Sequence, residues 1–309
     1  MRSIAITNQK GGAGKTTTAV HVAAAIARRS RRVLLVDLDP QGHASLHLGV
    51  QLGNDQPSIY DVLVSGLPAA RAFHNITEHL VVLPAGVDLV GAELELAARE
   101  GREHVLARAL APYQSTFDFC LVDCPPSLGV LTINALAAVQ ELVIPLQPHF
   151  LALEGLGRLL ETVALVRRAL NPRLRVSGIA LCMFEKGTRL AQEVLDDISR
   201  FLSNAGPADP WFGARVFDTK IRRNIKLAES PSFGKTVYDY APSSHGAEDY
   251  LALAAEVMAL SAPPAPPVAR SAVESAPMAF GAPVEAQPAG VPPGRSVSIA
   301  PATEELGSP

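Results

Sequence analysis

The sequence contains few of the residues that stabilise small secreted domains or metal clusters. Only three of its 309 residues are cysteine, and Cys120, Cys124 and Cys182 form neither an even set nor a CxxC pair. We therefore expect a chain that folds in a reducing compartment, with Cys120 and Cys124 buried in packing rather than bound to a metal.

The sequence also lacks a recognisable targeting or membrane-spanning segment. Met1–Asn8, which precedes a glycine-rich stretch, is too short for a signal peptide. No uninterrupted apolar run reaches the roughly 18 residues that a membrane helix needs. These features predict a cytoplasmic protein for which no membrane partner is expected.

Aromatic residues and net charge are scarce as well. Aromatics make up 5% of the chain against 48% for all hydrophobic residues, so we expect a core of Ala, Val, Leu and Ile. Such a composition is typical of parallel sheets that are covered by helices on both faces. The formal net charge of −3 excludes a global attraction to nucleic acid, and an anion-binding surface would have to be a local patch.

Short apolar runs alternate with longer helical patterns along the first 260 residues. This order predicts an α/β fold with a mostly parallel, doubly wound sheet and helices on both faces. The predicted strands are Ser3–Thr7, Arg32–Val36, Leu80–Leu83, Phe117–Val122, Glu141–Pro145 and Ser177–Leu181. The predicted helices are Thr16–Arg29, Leu89–Ala111, Leu151–Leu170, Arg189–Leu202 and Gly246–Leu260.

The composition changes abruptly after Leu260. The final 49 residues hold 11 of the 25 prolines, 11 alanines and only six charged side chains. Such a segment cannot bury enough apolar surface to offset the entropy lost when it is ordered. We therefore predict one globular domain at residues 1–260 and a Pro/Ala-rich disordered tail at residues 261–309.

A glycine-rich loop separates the first predicted strand from the first predicted helix. Its sequence, KGGAGKTT, provides the lysine and hydroxyl of a phosphate-binding loop in the strand–loop–helix context that such a loop requires. Lys15 is expected to reach the β- and γ-phosphates of ATP, and the Thr16 hydroxyl to ligate Mg²⁺. The pattern indicates a P-loop NTPase sheet and an ATPase. The predicted nucleotide-binding residues are Lys10, Gly11, Gly12, Ala13, Gly14, Lys15, Thr16 and Thr17.

Lys10 departs from the ordinary P-loop pattern, which requires no second lysine and places Gly where this chain has Gln9. A second lysine in the loop is poorly placed to bind, together with Lys15, the phosphates held by the same subunit. It can, however, reach the phosphates of a second subunit.

Acidic residues follow two predicted strands. Asp37 and Asp39 come after the second strand, and Asp123 ends the fourth in a Walker-B pattern. Ligands of open α/β sheets bind at this carboxyl edge. We predict that Asp123 holds the metal through water, with Asp37 as a further candidate for the metal.

The motifs NQKGGAGKTTT, LLVDLDPQGHAS and DCPPSLGVLTINAL resemble those of the ParA family of partition ATPases, within the wider ParA/MinD group with a deviant Walker A loop. The resemblance spans about residues 1–260. It implies that Lys10 is a cross-subunit lysine and that Asp39 orients the attacking water, with Lys10, Lys15 and Asp39 as the catalytic residues. It also implies an ATP-sandwich homodimer that binds non-specific DNA on the nucleoid and is reset by a ParB-like partner.

A basic segment at Gly213–Lys226 is the candidate DNA surface. It carries five lysines and arginines against the single acid Asp218, which is an electrostatic footprint for phosphates. The family often has Asp-Gly-Arg-Thr where this chain reads Glu185-Lys186-Gly187-Thr188-Arg189, so the DNA-contacting arginine is not in its usual place. The candidate DNA-binding residues are Arg223, Arg222, Lys226, Lys186 and Arg189.

Two alternatives remain open at this point. A MinD-like membrane-associated positioning ATPase would carry a basic amphipathic C-terminal helix, whereas this tail is rich in proline. A reductase resembling the nitrogenase iron protein would need cysteines that bridge a cluster at a dimer axis, a role that Cys124, directly after Asp123, does not suit. The cargo, whether chromosome, plasmid or protein cluster, is not encoded in these motifs.

The tail gives a first testable prediction. Deleting residues 261–309 should leave the melting temperature and the ATP hydrolysis rate nearly unchanged, because the tail is not expected to contribute to the folded core. Thermal unfolding and ATPase assays on the full-length and truncated chains measure both. A large drop in melting temperature would show that the tail packs on the domain.

Overall fold

The computed structural model describes residues 1–260 except Asn54, Phe150, Lys186 and Thr188. The predicted tail and the candidate DNA-binding residue Lys186 therefore lie outside the described residues. Within them the chain forms one eight-stranded sheet, in the order β3-β4-β2-β5-β1-β6-β7-β8. The strands are β1 (Arg2–Ile6), β2 (Val33–Asp37), β3 (His74–Thr77), β4 (Leu80–Leu83), β5 (Phe119–Asp123), β6 (Glu141–Leu146), β7 (Arg175–Leu181) and β8 (Arg215–Val216).

All neighbouring strands run parallel except β3, which pairs antiparallel with β4. The apolar runs of β1, β2 and β4 are buried along their whole length. This is what strands covered on both faces require. The predicted doubly wound α/β sheet is confirmed.

Eleven α-helices surround the sheet within the described part of the chain. They are α1 (Lys15–Ala27), α2 (His43–His47), α3 (Ile59–Val64), α4 (Leu89–Ala97), α5 (Val105–Leu110), α6 (Val130–Ala138), α7 (Leu151–Ala169), α8 (Arg189–Ser203), α9 (Ile225–Glu229), α10 (Val237–Tyr240) and α11 (His245–Ala259).

Two separate hydrophobic cores form, one on each face of the sheet. Side chains of α1, α2, α10 and α11 pack on one face. Side chains of the helices from α3 to α8 pack on the other. Both cores consist mostly of Ala, Val, Leu and Ile, as the composition predicted. None of the helices in the described ranges is both long and apolar enough to cross a membrane.

The six predicted strands are confirmed with shifts of about two residues at their ends, whereas the predicted single helix Leu89–Ala111 is wrong. The chain leaves the helix after Ala97 and passes through Gly101 at φ +64°, a left-handed conformation that ends a helix and favours glycine. A 3₁₀ turn at Arg102–His104 then leads into α5. Two strands escaped prediction because β3 is polar and β8 has only two residues.

Candidate nucleotide site

The glycine-rich loop joins the carboxyl end of β1 to α1, in the middle of the sheet. Gly14 precedes α1 with φ +91° and provides no side-chain cap, so the first amides of the helix remain available to an anion. Apart from the adjacent residues, no atom of the described part of the chain lies within 4 Å of the position that a Cβ would take at Gly11 or Gly12. The loop is therefore an open cradle of backbone donors at the positive end of a helix.

Lys15 is the cation inside this cradle. Its side chain is buried, and its Nζ donates a hydrogen bond to the carbonyl of Lys10 at 3.2 Å. Burial lowers the pKa of Lys15, while the negative charges of Asp123 and Asp39 act in the opposite direction. An ammonium group held in this way is exposed to little competing water and would interact strongly with a phosphate.

Asp123 is the least satisfied polar group of the site. Strand register places it beside Asp37 of β2 and Ile6 of β1, at the carboxyl edge of the sheet. It is fully buried, and neither carboxylate oxygen has a hydrogen-bond partner within the described residues. Burial and the neighbouring charge of Asp37 raise the pKa of Asp123 well above its usual value, although Thr16 and Lys15 oppose the shift.

Asp37 is equally buried but differs from Asp123 in having its own donors. Its Oδ2 accepts hydrogen bonds from the amide of Ser45 at 2.8 Å and from the Ser45 hydroxyl at 2.7 Å. Burial nevertheless raises the pKa of Asp37 to about 6. The structure thus shows Asp37 holding the start of α2 in place. Its role at the metal stays a prediction.

Asp39 lies two residues further on, where β2 has ended. Its Oδ1 accepts a hydrogen bond from the amide of Gln41 at 3.0 Å, which shapes the loop that leads into α2. Unlike Asp37, it lines the same cavity as the glycine-rich loop. This is a suitable position for a carboxylate that orients water near a bound phosphate.

The cavity itself has a volume of about 780 Å³. One wall is the loop and the start of α1, and the opposite wall comes from the segments after β7 and β8, including Met183, Arg223 and Asn224. Six of the eight predicted nucleotide-binding residues line it, namely Gly11, Gly12, Gly14, Lys15, Thr16 and Thr17. Ala13 is buried behind them, and Lys10 is exposed beside them.

The donors present suit a nucleotide with Mg²⁺. In such a site the metal is held by a hydroxyl, phosphates and water rather than by a cage of protein ligands. Accordingly, the described residues contain no cluster of three or more His, Cys, Asp or Glu able to hold a metal alone. The unpartnered oxygens of Asp123 and the hydroxyl of Thr16 are the groups that would complete the metal's shell.

Lys10 points away from this interior. Its amide is held by Asn8 Oδ1 at 3.0 Å, and its Nζ contacts Nε2 of His149 in the loop before α7. No sequence motif indicated His149, because nothing in the motifs connects these two distant segments. The Lys10 side chain is exposed, and Lys10 is not among the described residues that line the cavity.

The candidate DNA residues are more heavily paired than the sequence suggested. Arg222 forms a bidentate ion pair with Asp249 of α11, at 2.6 Å for the shortest contact, and also pairs with Glu248. Lys226 pairs with Glu229 at 2.8 Å.

Arg223 and Arg189 differ from these two residues, because both are largely exposed. They pair with exposed glutamates, Glu185 and Glu193, at 2.8 Å. Exposed pairs of this kind are weak and exchange readily for another anion.

The predicted burial of Cys120 and Cys124 is confirmed, and burial raises the pKa of Cys120 to about 12. Cys182 is a buried thiol as well. Cys124 lies fully inside the core, with its thiol directed at the carbonyl of Val122. Cys182 packs against Gly14 on the wall of the cavity, a placement that no sequence motif indicated.

Comparisons with known proteins agree with this site. Residues 1–176 match the family model described as an AAA domain. The chromosome partitioning protein ParA of Myxococcus xanthus is 44% identical over 266 residues, covering 86% of this chain and 90% of that protein. The sporulation initiation inhibitor protein Soj of Bacillus subtilis is 45% identical over 257 residues, covering 83% and 98%.

One similar solved structure contains a bound nucleotide and a metal ion. The cobyrinic acid a,c-diamide synthase from Mycobacterium smegmatis, determined with bound ADP and magnesium, aligns with a TM-score of 0.70. It is 35% identical in sequence, and the alignment covers 84% of this chain and 94% of that one. The nucleotide and metal in that neighbour are the pair that the cradle and Asp123 fit.

The buried charge of Asp123 gives a testable prediction. Asp123→Asn should stabilise the nucleotide-free protein, because it removes an unpartnered buried carboxylate, and a gain of ~1 kcal/mol raises Tm by ~2–4 °C in a domain of this size. The raised pKa means that the folded wild type takes up a proton more readily than the unfolded chain, so its stability rises as the pH falls. The advantage of the variant should therefore shrink on acidification.

Thermal unfolding between pH ~8 and ~5.5 measures this difference. Asp118→Asn, just before β5, is the matched control, since Asp118 accepts hydrogen bonds from the amide and guanidinium of Arg32 and its loss should destabilise. The same Asp123→Asn protein should gain less stability from Mg²⁺–ATP than the wild type. If the Asp123→Asn variant melted at a lower temperature than the wild type at pH ~8, the buried Asp123 carboxylate would not destabilise the nucleotide-free protein.

Proposed function

The chain belongs to the ParA/MinD family and is a partitioning ATPase that uses ATP with Mg²⁺, and from that premise we propose that it works as an ATP-dependent homodimer on non-specific DNA. It would segregate or position a chromosome, plasmid or protein-cluster cargo, with hydrolysis stimulated by a ParB-like partner. The proposal places it in the cytoplasm, on the nucleoid.

The observation that carries this proposal is that the side chains of the two lysines of the loop occupy different positions. Lys15 occupies the interior of the loop, where its Nζ meets the carbonyl of Lys10. The Lys10 side chain instead leaves the loop and is exposed, with only an imidazole contact at its tip within the described residues. An exposed ammonium group of this kind would be available to neutralise phosphates bound in a second copy of the chain.

We assign the roles in hydrolysis from the position of each acidic residue relative to the cavity. Asp39 reaches the cavity and would orient the attacking water, while Lys15 and the loop amides hold the β- and γ-phosphates. Thr16, with Asp123 behind it, would hold Mg²⁺, which supplies charge neutralisation at the phosphates. Asp37 would act mainly by fixing Ser45 and the loop that carries Asp39.

The DNA role is supported by the position of the basic segment. Arg222, Arg223 and Asn224 line the same cavity as the glycine-rich loop. Binding or hydrolysis of the nucleotide would therefore take place next to the candidate DNA contacts. Arg223 is the best candidate, because its exposed pair with Glu185 is easily exchanged for a phosphate. Arg222 has a structural contact with α11, which supports a smaller direct contribution to DNA.

Dimerisation gives the first test of this proposal. Lys10→Ala should abolish dimer formation with a non-hydrolysable ATP analogue, because it removes the cation that would cross to the partner's phosphates. Binding of nucleotide to the monomer should largely persist, since Lys15 and the loop are intact. Light scattering and nucleotide titration separate the two effects. Lys235→Ala, at another exposed lysine, is the matched control. Equal dimer fractions for the Lys10→Ala variant and wild type would rule out the cross-subunit role.

DNA binding gives the second test. Arg223→Glu should weaken ATP-dependent binding to non-specific DNA at least ~10-fold and reduce the salt slope by ~2, since a dimer loses two phosphate contacts. A mobility titration at two salt concentrations measures both. Arg158→Glu on α7 is the matched control, because Arg158 is also exposed and ion-paired. Dimerisation and ATP binding should persist in both variants.

Further variants locate the rest of the surface. Arg222→Glu should weaken DNA binding less than Arg223→Glu, and Arg189→Glu shows whether the start of α8 contributes. If the Arg223→Glu variant bound DNA with wild-type affinity, the assignment of this segment as the DNA-binding surface would be wrong. ATP-dependent pelleting of the chain with liposomes would then favour the membrane-associated alternative.

A further inference from the structure

Helix α4 has two apolar faces, and within the described residues only one of them is covered. Leu89, Ala92 and Leu96 are fully buried in the core. On the other side Val90 and Leu94 are 66% and 81% exposed, and Val87, just before the helix, is 85% exposed. These three side chains follow helical spacing and form what we call the α4 stripe. Large apolar side chains that stand in a row on a surface mark a contact site more often than scattered ones do.

Carboxylates border the stripe on the side of α3. Glu95 accepts a hydrogen bond from the hydroxyl of Tyr60 at 2.8 Å. That bond raises the pKa of Tyr60, and the negative charges of Asp88 and Asp61 add to the effect. Asp88 and Glu95 are exposed. The stripe therefore lies beside a local field of negative charge.

The far side of α4 touches the segment that follows the Walker-B strand. The Glu93 carboxylate packs so closely on the backbone of Gly129 that a side chain there would have to displace it. Gly129 is the residue before α6, six positions after Asp123. A molecule that binds on α4 would thus press on the loop that joins Asp123 to α6.

We propose that the α4 stripe and its acidic border form the docking surface for a basic, apolar helical segment of the stimulating partner. This inference rests on the partner named in the proposed function and assigns it a place on the molecule. Apolar side chains of the segment would cover Val87, Val90 and Leu94, and its lysines or arginines would pair with Asp88 and Glu95. The Glu93–Gly129 contact then links the docked segment to the nucleotide site.

Two other occupants fit the surface less well. Residues 261–309 carry two arginines against four glutamates, so that segment has the wrong charge for an acidic border. A second copy that met this stripe with its own would bring the two acidic borders together across a two-fold axis. Like charges at such a contact are unfavourable. Charge complementarity therefore selects a cationic partner.

The test uses the full-length chain and a synthetic helical peptide of leucine and lysine, labelled for fluorescence anisotropy. Wild type should bind it, and Leu94→Glu should weaken binding at least ~10-fold by placing a charge in the apolar contact. Leu165→Glu, at an exposed leucine on α7, should bind like wild type. The double change Asp88→Asn and Glu95→Gln should weaken binding and flatten its salt dependence, because it removes the charged border without changing shape.

Hydrogen exchange locates the peptide. Protection should appear across α4 and the segment before α6, and Leu94→Glu should lose it while retaining its melting temperature and its ATP-dependent dimer. Equal peptide binding by Leu94→Glu and Leu165→Glu, or protection confined to other helices, overturns the proposal. Loss of the ATP-dependent dimer in Leu94→Glu would overturn it too, by assigning the stripe to a second copy.

The peptide result is independent of the DNA result. If the wild-type chain failed to bind DNA with ATP but bound the peptide, the DNA part of the proposed function would fail and the α4 docking surface would stand. If DNA binding held and the peptide did not bind, only the present inference would fail.

Discussion

The rest of the site depends on a buried negative charge at the carboxyl edge of the sheet. Strand register sets Asp37 and Asp123 side by side, fully buried, and Asp123 has no hydrogen-bond donor of its own within the described residues. Desolvation of this kind costs folding free energy. Lys15 reduces the cost, but its own burial lowers its pKa. A phosphate with Mg²⁺ would give both groups the partners that the protein does not supply.

The hydrogen bonds of Asp37 connect this charge to the surrounding loops. The Ser45 hydroxyl donates a hydrogen bond to Asp37 and accepts one from the amide of Ala85, so the loop that carries Asp39 is tied to the loop after β4. On the other side of β5, Glu93 packs on Gly129 at the start of α6. Glu93, on the same helix as the α4 stripe, therefore packs on the residue at the end of the loop that leads from Asp123 to α6.

Much of the fold and of the nucleotide site could be predicted from sequence, because both depend on local patterns. Continuous apolar runs predicted the buried parallel strands, and the glycine-rich loop between a strand and a helix predicted where the cavity lies. Asp39 and Asp123 were placed at one edge because parallel strands end there together. The single helix over Leu89–Ala111 failed, since apolar spacing continues through Gly101 although the backbone there does not remain helical.

The sequence by itself determined the family, the α/β fold and the phosphate-binding loop, since each is encoded by neighbouring residues. Only the tertiary structure decided which charges are free to act. The basic segment at Gly213–Lys226 contains a single acid, but the fold brings Glu185 and Asp249 against Arg223 and Arg222. Likewise, Lys10 meets His149 from far along the chain. Electrostatic energy depends on distance in space, and residues remote in sequence set that distance only when the chain has folded.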